Sequence, residues 1–233
     1  MSDTLHVLCA GAVQGIVKAL HARFERESAA KLNARFGAVG AMQEALLAGE
    51  PCDVMIVTDA MVVALQSEGK LGIRPRAPLG RVRTGLAVRN GESLPGIATP
   101  QALKASLQAA SAIYFPDSQR STAGIHFASV LDRLGIAGEL APRLHTFPNG
   151  ATAMRELAAS APGAIGCTQI TEIMYTPGIT LIGPLPDEFE LVTVYTAAVA
   201  MRAVQPVLAQ RFIDLLAGPA TRAMRADGGF EFD

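Results

Sequence analysis

Residues 5–13 read LHVLCAGAV, an apolar run that ends in a turn of small residues. Two later stretches end a strand in a similar way, FGAVG at 36–40 and CDVMIVTD at 52–59. The segment 14–27 carries apolar residues at helical spacing, and 41–48 is a second helical stretch. This order of strand, turn and helix predicts parallel strands with helices packed against the sheet.

The alternation of strands and helices continues through the rest of the chain. Two long extended stretches, 79–88 and 191–200, interrupt it and suit segments that cross between two lobes. We therefore predict an α/β protein with mainly parallel sheets flanked by helices and a cleft between two lobes. The predicted lobes are 1–82 with 194–233 and 83–193, joined by the two crossing strands. Ligands of such sheets bind beyond the carboxyl ends of the strands.

The composition is that of a well-buried globular protein. Half of the 233 residues are apolar, 18% are charged, and the formal net charge is −1. This balance does not favour binding to nucleic acid or to an anionic membrane. No run approaches the ~18 apolar residues that a membrane span requires. We expect no nucleic-acid partner and no membrane span.

The cysteines and the N-terminus bear on the location of the protein. Cys9, Cys52 and Cys167 form an odd set without the spacing of a disulfide framework, which suits a reducing compartment. The chain begins MSDT and enters a strand by Leu5, without a basic segment, an apolar stretch and a cleavage site. We therefore expect a cytoplasmic protein, or a periplasmic one if a signal peptide has been removed.

Several familiar chemistries lack their sequence motifs. The chain has no phosphate-binding Gly-x-x-x-x-Gly-Lys loop, no dinucleotide fingerprint after the first strand and no Gly-x-Ser-x-Gly. No group of His and Cys residues has the spacing of metal ligands. We expect neither a cofactor nor a metal ion.

Nearly the whole chain resembles the molybdate-binding proteins of ABC transporters, a branch of the type II periplasmic binding proteins. Besides the opening strands, the resemblance rests on GEPCDV at 49–54, AGI at 123–125, AIG at 164–166 and GFE at 229–231. It implies that serine hydroxyls of the first two loops hold the oxyanion.

The serine positions of the first two loops fall here on Ala12 and Val39 or their neighbours. Neither side chain can donate a hydrogen bond. We therefore expect the family's scaffold to be kept and its ligand to be changed.

A second resemblance concerns the later loops. The stretches STAGIHF at 121–127, CTQITEI at 167–173 and GPLP at 183–186 are similar to those of binding-protein homologues that act as aconitate isomerases. These enzymes move a double bond in a small tricarboxylate. The resemblance implies an unsaturated carboxylate as substrate and no redox cofactor.

Ligand-binding candidates come from four loops expected at the carboxyl ends of strands. Backbone amides at helix starts can hold an anion, hydroxyl groups can donate to it, and a guanidinium matches a carboxylate. The alternative for each loop is an ordinary turn or cap. The candidates are Gly11, Ala12, Val39, Ser118, Arg120, Ser121, Thr122, Thr152 and Gln169.

Catalysis of a double-bond shift requires a proton carrier. Cys9 and Cys167 each end a predicted strand, and His126 follows the polar loop 118–124. A thiol pair needs a nearby cation or helix N-terminus to lower its pKa; otherwise both cysteines are small buried residues. Asp59 and Glu172 are further candidates to move a proton, but Asp59 is most simply a helix N-cap and Glu172 a helix surface residue.

A cluster of basic residues lies in one stretch. Its members are Arg74, Arg76, Arg81, Arg83 and Arg89. We interpret the cluster as a solvated loop. The alternative is that Arg81 or Arg83 joins Arg120 in a clamp for carboxylates.

Two functions remain at this stage. The first is a cytoplasmic isomerase of a small unsaturated di- or tricarboxylate, with proton transfer in the interlobe cleft. The alternative is a solute-binding protein of a molybdate- or oxyanion-type ABC transporter, or a non-catalytic binder of small anions. The ligand is a small anion in both, a carboxylate rather than molybdate in the first, and a permease is a partner only in the second.

Overall fold

A computed structural model describes residues 3–232, without the side chains of 73–75. The chain forms two compact units. Unit 1 comprises the described residues up to Val82 together with those from Thr193 onward, and unit 2 comprises Arg83–Val192.

Strands and helices alternate along both units. The strands are β1 (Thr4–Ala10), β2 (Lys31–Gly37), β3 (Val54–Thr58), β4 (Leu71–Arg89), β5 (Ile113–Pro116), β6 (Leu144–Phe147), β7 (Ile165–Gln169), β8 (Ile179–Pro184) and β9 (Val192–Ala200). The helices are α1 (Gln14–Ser28), α2 (Val39–Leu47), α3 (Asp59–Ser67), α4 (Pro100–Ala109), α5 (Thr122–Arg133), α6 (Ala137–Leu140), α7 (Gly150–Ala158), α8 (Ile170–Met174), α9 (Pro206–Ala217) and α10 (Arg222–Asp227). The predicted α/β architecture is confirmed.

The sheet of unit 1 has the order β2-β1-β3-β9. Strand β1 is parallel to β2 and β3, and β9 is antiparallel to β3. Residues 54–57 of β3 are all buried because helices cover both faces of the sheet. Phe24 of α1 and Phe212 of α9 meet edge to face in this core, with ring centroids 5.0 Å apart.

The sheet of unit 2 has the order β4-β7-β5-β6, and β8 pairs with the other edge of β4. Strand β5 is parallel to β6 and β7, whereas β4 is antiparallel to β7 and β8. Leu86 and Cys167 pack with Phe127 of α5 on one face of the sheet. Ala87 packs with Met154 of α7 on the other face.

The basic cluster was wrongly interpreted as a loop. Its members lie along β4, which begins at Leu71 rather than at 79. Arg83 Nη1 lies 2.9 Å from Glu190, and Arg89 Nε lies 3.1 Å from Glu92. The arginines therefore line a strand, and those two form ion pairs within unit 2.

Each unit has a carboxyl edge, which we define as the edge where its parallel strands end. In unit 1, β1, β2 and β3 end there, and in unit 2, β5, β6 and β7 do. The helices that follow these strands begin at the same edge, so their N-terminal amides gather there. In the described part of the chain, no helix is long and apolar enough to cross a membrane.

Candidate functional site

The carboxyl edge of unit 1 presents main-chain groups. Gly11, Ala12 and Val13 are buried in a 3-10 turn that leads into α1, and no side chain caps this turn or α1. Helix α2 begins at the buried Val39, also without a side-chain cap. First-turn amides that no side chain caps can hold an anion, aided by the helix dipole. The candidates Gly11, Ala12 and Val39 all lie at these helix starts.

Asp59 lies at the same edge, and its interpretation as an N-cap is wrong. Thr58 caps α3 by accepting a hydrogen bond from Met61 N at 3.3 Å, and Asp59 is the first helical residue. The Asp59 carboxylate accepts hydrogen bonds from Arg76 and, at 2.8 Å, from Thr196 Oγ1. The bond from Arg76 and then that from Thr196 lower the pKa of Asp59, so it stays ionised at neutral pH.

The two candidate thiols lie in the cores of the units. Cys9 and Cys167 are each 0% exposed, and burial raises the pKa of both thiols. Cys9 Sγ donates to the carbonyl oxygen of Ala10 at 3.3 Å. Burial opposes formation of the thiolate that acid-base work requires. The catalytic assignment of Cys9 and Cys167 remains a prediction that their surroundings do not favour.

His126 is a residue of α5 that contacts another part of unit 2. Its Nε2 lies 2.7 Å from the carbonyl oxygen of Phe189. A carbonyl only accepts, so Nε2 carries the proton of this bond. The contact ties α5 to the segment 187–189, and a catalytic role for His126 remains a prediction.

The loop after β5 contains four ligand-binding candidates. Asp117 Oδ1 accepts from the amides of Gln119 at 2.7 Å and Arg120 at 3.0 Å, which folds the loop into a tight turn. Ser118 and Arg120 are exposed on this turn. Ser121 is the buried N-cap residue of α5, but its side chain makes no capping hydrogen bond.

The first turn of α5 is pressed against the end of β5. A Cβ atom at Gly124 would overlap the carbonyl oxygens of Pro116 and Asp117, so a glycine is needed for this close approach. Thr122, the fourth candidate of this loop, is partly exposed at the start of the helix. The amides of this first turn therefore lie beside the end of the strand without a side-chain cap.

Helix α7 begins differently, because side chains of unit 2 occupy its N-terminus. Asn149 Oδ1 accepts from the amide of Thr152 at 2.9 Å. Glu172 Oε1 accepts from the amide of Ala151 at 3.2 Å, and Thr168 Oγ1 donates to Glu172 Oε2 at 2.5 Å. The chain thus supplies its own anion to this helix start.

Glu172 is not the helix surface residue expected from the sequence. Its side chain is buried, with 7% of the residue exposed. A Cβ atom at Gly150 would overlap Glu172 Oε2 and Thr168 Oγ1, so the helix start fits closely around the carboxyl group. Local sequence could not reveal this, because the contact joins residues 21 positions apart.

The Glu172 carboxyl can exchange a proton near neutral pH. Burial raises its pKa to about 7. Hydrogen bonds from Thr168 and from the amides of Ala151, Gln169 and Gly150 favour the ionised form and offset part of this effect. Carboxyl groups of this kind occur at functional sites.

Two more predicted ligand-binding residues lie at the edge of unit 2, together with one residue that the sequence analysis did not single out. Thr152 Oγ1 accepts from Arg155 Nη2 at 2.9 Å on an exposed flank of α7. Gln169 ends β7 and is 2% exposed. Thr84 of β4 lies directly opposite Gln169 and is 1% exposed. A threonine inside the extended stretch 79–88 was the only sequence signal for Thr84.

Within residues 3–232, no group of three or more His, Cys, Asp and Glu side chains is arranged to hold a metal ion.

Solved structures show that the chain has the fold of the periplasmic binding proteins. The periplasmic molybdate-binding protein of Azotobacter vinelandii has a TM-score of 0.79 and 18% identity, over 98% of this chain and 99% of that one. A periplasmic thiamin-binding protein has a TM-score of 0.74 and 15% identity, over 100% of this chain and 85% of that one. Proteins named for ligands as different as molybdate and thiamin share this fold, so the fold does not determine which ligand is bound.

The family model described as bacterial extracellular solute-binding protein matches residues 5–231. The chain therefore belongs to this family, and its predicted resemblance to binding proteins is confirmed. A Pseudomonas aconitate isomerase is 25% identical over 234 residues, which cover 98% of this chain and 87% of that enzyme.

Proposed function

We propose that the protein binds a small unsaturated di- or tricarboxylate and shifts a double bond within it. The observation that carries this proposal is the buried Glu172 carboxyl with a pKa of about 7 at the carboxyl edge of unit 2. The similarity to a Pseudomonas aconitate isomerase over 98% of the chain supports the choice of substrate class.

Glu172 is the proton carrier of the proposed reaction. Its ionised form takes a proton from a carbon next to the double bond, and the electron pair left behind spreads over three carbons and a substrate carboxylate. The protonated Glu172 returns the proton to the far carbon, and the double bond has moved by one position. No atom or electron is gained or lost. A pKa near the working pH suits a group that acts first as base and then as acid.

The surroundings of Glu172 suit this role. Thr168 Oγ1 and the amide of Ala151 hold the two carboxyl oxygens, which fixes the direction of the group. Glu172 is buried, with only 7% of the residue exposed, so little bulk water can compete for the proton. Substrate carboxylates are bound by the uncapped first turn of α5 and the side chains around it.

An optical assay with trans-aconitate tests this proposal. We expect conversion to cis-aconitate, with kcat/KM rising with pH through a midpoint near 7 as Glu172 ionises. A panel of other unsaturated di- and tricarboxylates identifies the preferred acid. Absence of turnover on the whole panel would contradict the isomerase function.

A second candidate function is binding of a small oxyanion without catalysis, as part of an importer. The uncapped helix starts at Gly11–Val13 and Val39 favour it, because main-chain amides bind any compact anion. Calorimetry with molybdate and sulfate distinguishes the two. Tight binding of molybdate and no turnover of any carboxylate would support the importer function and a permease partner.

The cytoplasmic location is also part of the proposal. It suits an enzyme that acts on a metabolic acid, whereas an importer subunit works outside the inner membrane. Cell fractionation of the native host followed by immunodetection tests it, and recovery in the periplasmic fraction would contradict it.

A further inference from the structure

Thr84 carries a buried hydroxyl that the fold does not use. The residue is 1% exposed, and its Oγ1 has no hydrogen-bond partner among the residues that the structure describes. Its backbone is fully bonded, since Thr84 N donates to Leu191 O and Thr84 O accepts from Leu185 N, both at 3.1 Å. A buried hydroxyl without a partner costs free energy, so its retention needs an explanation.

The direction of the Thr84 side chain follows from the pleat of the sheet. Leu86, two residues along β4, belongs to the same buried cluster as Phe127 of α5, and alternate residues of a strand point to the same face. Thr84 therefore points to the face that α5 covers. Gln169, directly opposite Thr84 on β7, points to that face as well.

The first turn of α5 lies on the same face of the sheet as these two side chains. Ala123 is 1% exposed and precedes the buried Phe127 by one helical turn, so both lie on the side of α5 that packs against the sheet. Thr84 and Gln169 lie nearer to the carboxyl edge than the Leu86–Cys167 pair that Phe127 covers. The Thr84 hydroxyl therefore lies on the face, and toward the edge, at which the uncapped helix α5 begins.

We propose that Thr84 Oγ1, the Gln169 side chain and the first-turn amides of α5 form a subsite for one carboxylate group of the ligand. This inference rests on the proposed function and names the residues that grip its substrate. The ligand accepts a hydrogen bond from the Thr84 hydroxyl, and this bond offsets the cost of burying it. The positive end of α5 selects an anion over a cation.

If the Thr84 hydroxyl serves ligand binding, its removal should not lower the stability of the ligand-free protein. Replacing Thr84 by Val removes the hydroxyl at nearly constant shape, and we expect the melting temperature to stay the same or rise. Thr84→Ser keeps the hydroxyl. Thr221→Val is the matched control, because the buried Thr221 Oγ1 lies 3.0–3.1 Å from the carbonyl oxygens of Leu215, Leu216 and Gly218 and can donate its hydrogen to any one of them. Its melting temperature should fall.

Calorimetry with trans-aconitate, molybdate and sulfate measures the Kd of each anion for the wild-type protein and the variants. For trans-aconitate we expect Thr84→Val to weaken Kd by about tenfold, the effect of one hydrogen bond to a charged group. Thr84→Ser should stay within about threefold of wild type. Thr221→Val should leave Kd unchanged.

The outcomes separate this inference from the proposed function. If the wild-type protein binds trans-aconitate and Thr84→Val binds it equally well, the subsite is wrong and the proposed function stands. If only molybdate binds and Thr84→Val weakens it, Thr84 holds an oxyanion, and both the carboxylate subsite and the carboxylate function fail. A wild-type protein that binds none of the three anions overturns both.

Discussion

The carboxyl edges of the two units have the same backbone arrangement but different buried side chains. Each has parallel strands that end beside helix starts. In unit 1 the buried residues at the first two helix starts are small or apolar, as Ala12 and Val39 show. In unit 2 the buried residues include Thr84, Gln169 and Glu172. Backbone architecture alone thus supplies hydrogen-bond donors for an anion at both edges. In the proposed function, selective binding and proton transfer depend on the side chains of the unit 2 edge.

The largest expected effect falls on activity in unit 2. Glu172→Gln keeps the size of the side chain and removes its proton exchange, so kcat for trans-aconitate should fall by about 10²–10⁴-fold. Glu156→Gln, an exposed residue of α7, is the control and should keep full activity. Equal rates for wild type and Glu172→Gln would show that the polar edge of unit 2 is not where the proton moves.

The pH dependence of stability should differ between the carboxylates of the two edges. The pKa of Glu172 is raised from 4.5 to about 7, so the folded state binds more protons than the unfolded state between these values. Its contribution is complete below pH ~4.5 and is lost as pH rises through about 7, by about 3 kcal/mol in all. The pKa of Asp59 is lowered, so its contribution is present above its usual value and is lost as pH falls.

Urea titrations of wild type and Glu172→Gln between pH 4 and 8 measure the Glu172 contribution. The variant should lack the decline of the unfolding free energy between pH 5 and 7. A titration of Asp59→Asn extended below pH 4 should lack the stabilisation that wild type gains as pH rises from acid. Identical pH profiles for wild type and Glu172→Gln would contradict a titrating carboxyl at the start of α7.

The close fit around Glu172 predicts a steric effect at Gly150. A methyl group there overlaps the carboxyl group and Thr168 Oγ1, so Gly150→Ala should lower the free energy of unfolding by about 1–3 kcal/mol. Gly138→Ala is the matched control, since nothing lies within 4 Å of a Cβ at that position of α6. Thermal denaturation of both variants measures the difference, and equal stabilities would argue against the fit.

The smallest expected effect concerns two helix starts of unit 2. Asn149→Ala removes the cap of α7 and should cost about 1 kcal/mol. Ser121→Ala removes a side chain that makes no capping bond, so the cost should stay below about 0.5 kcal/mol. Chemical denaturation measures both. A large loss for Ser121→Ala would mean that α5 is capped in solution and that its amides do not serve a ligand.

Much of the architecture could be predicted from local patterns. The apolar runs around Val7 and Val54 and the helical spacing of Ile16, Leu20 and Phe24 indicate an α/β protein. These patterns work because a strand and a helix each bury a face that the order of nearby residues defines. The positions of the uncapped helix starts at Ala12 and Val39 follow from the same local order.

Tertiary structure decided which polar groups are buried and what they meet. The sequence predicts that Glu172 is a surface residue, yet it is buried against the start of α7. The Arg76 side chain binds Asp59, which lies 17 positions earlier in the chain. Thr84 lies directly opposite Gln169 of another strand, and the local sequence does not show that these two side chains are neighbours. Local order determines the elements, whereas burial and proton affinity depend on contacts between residues far apart in the chain, which no short pattern encodes.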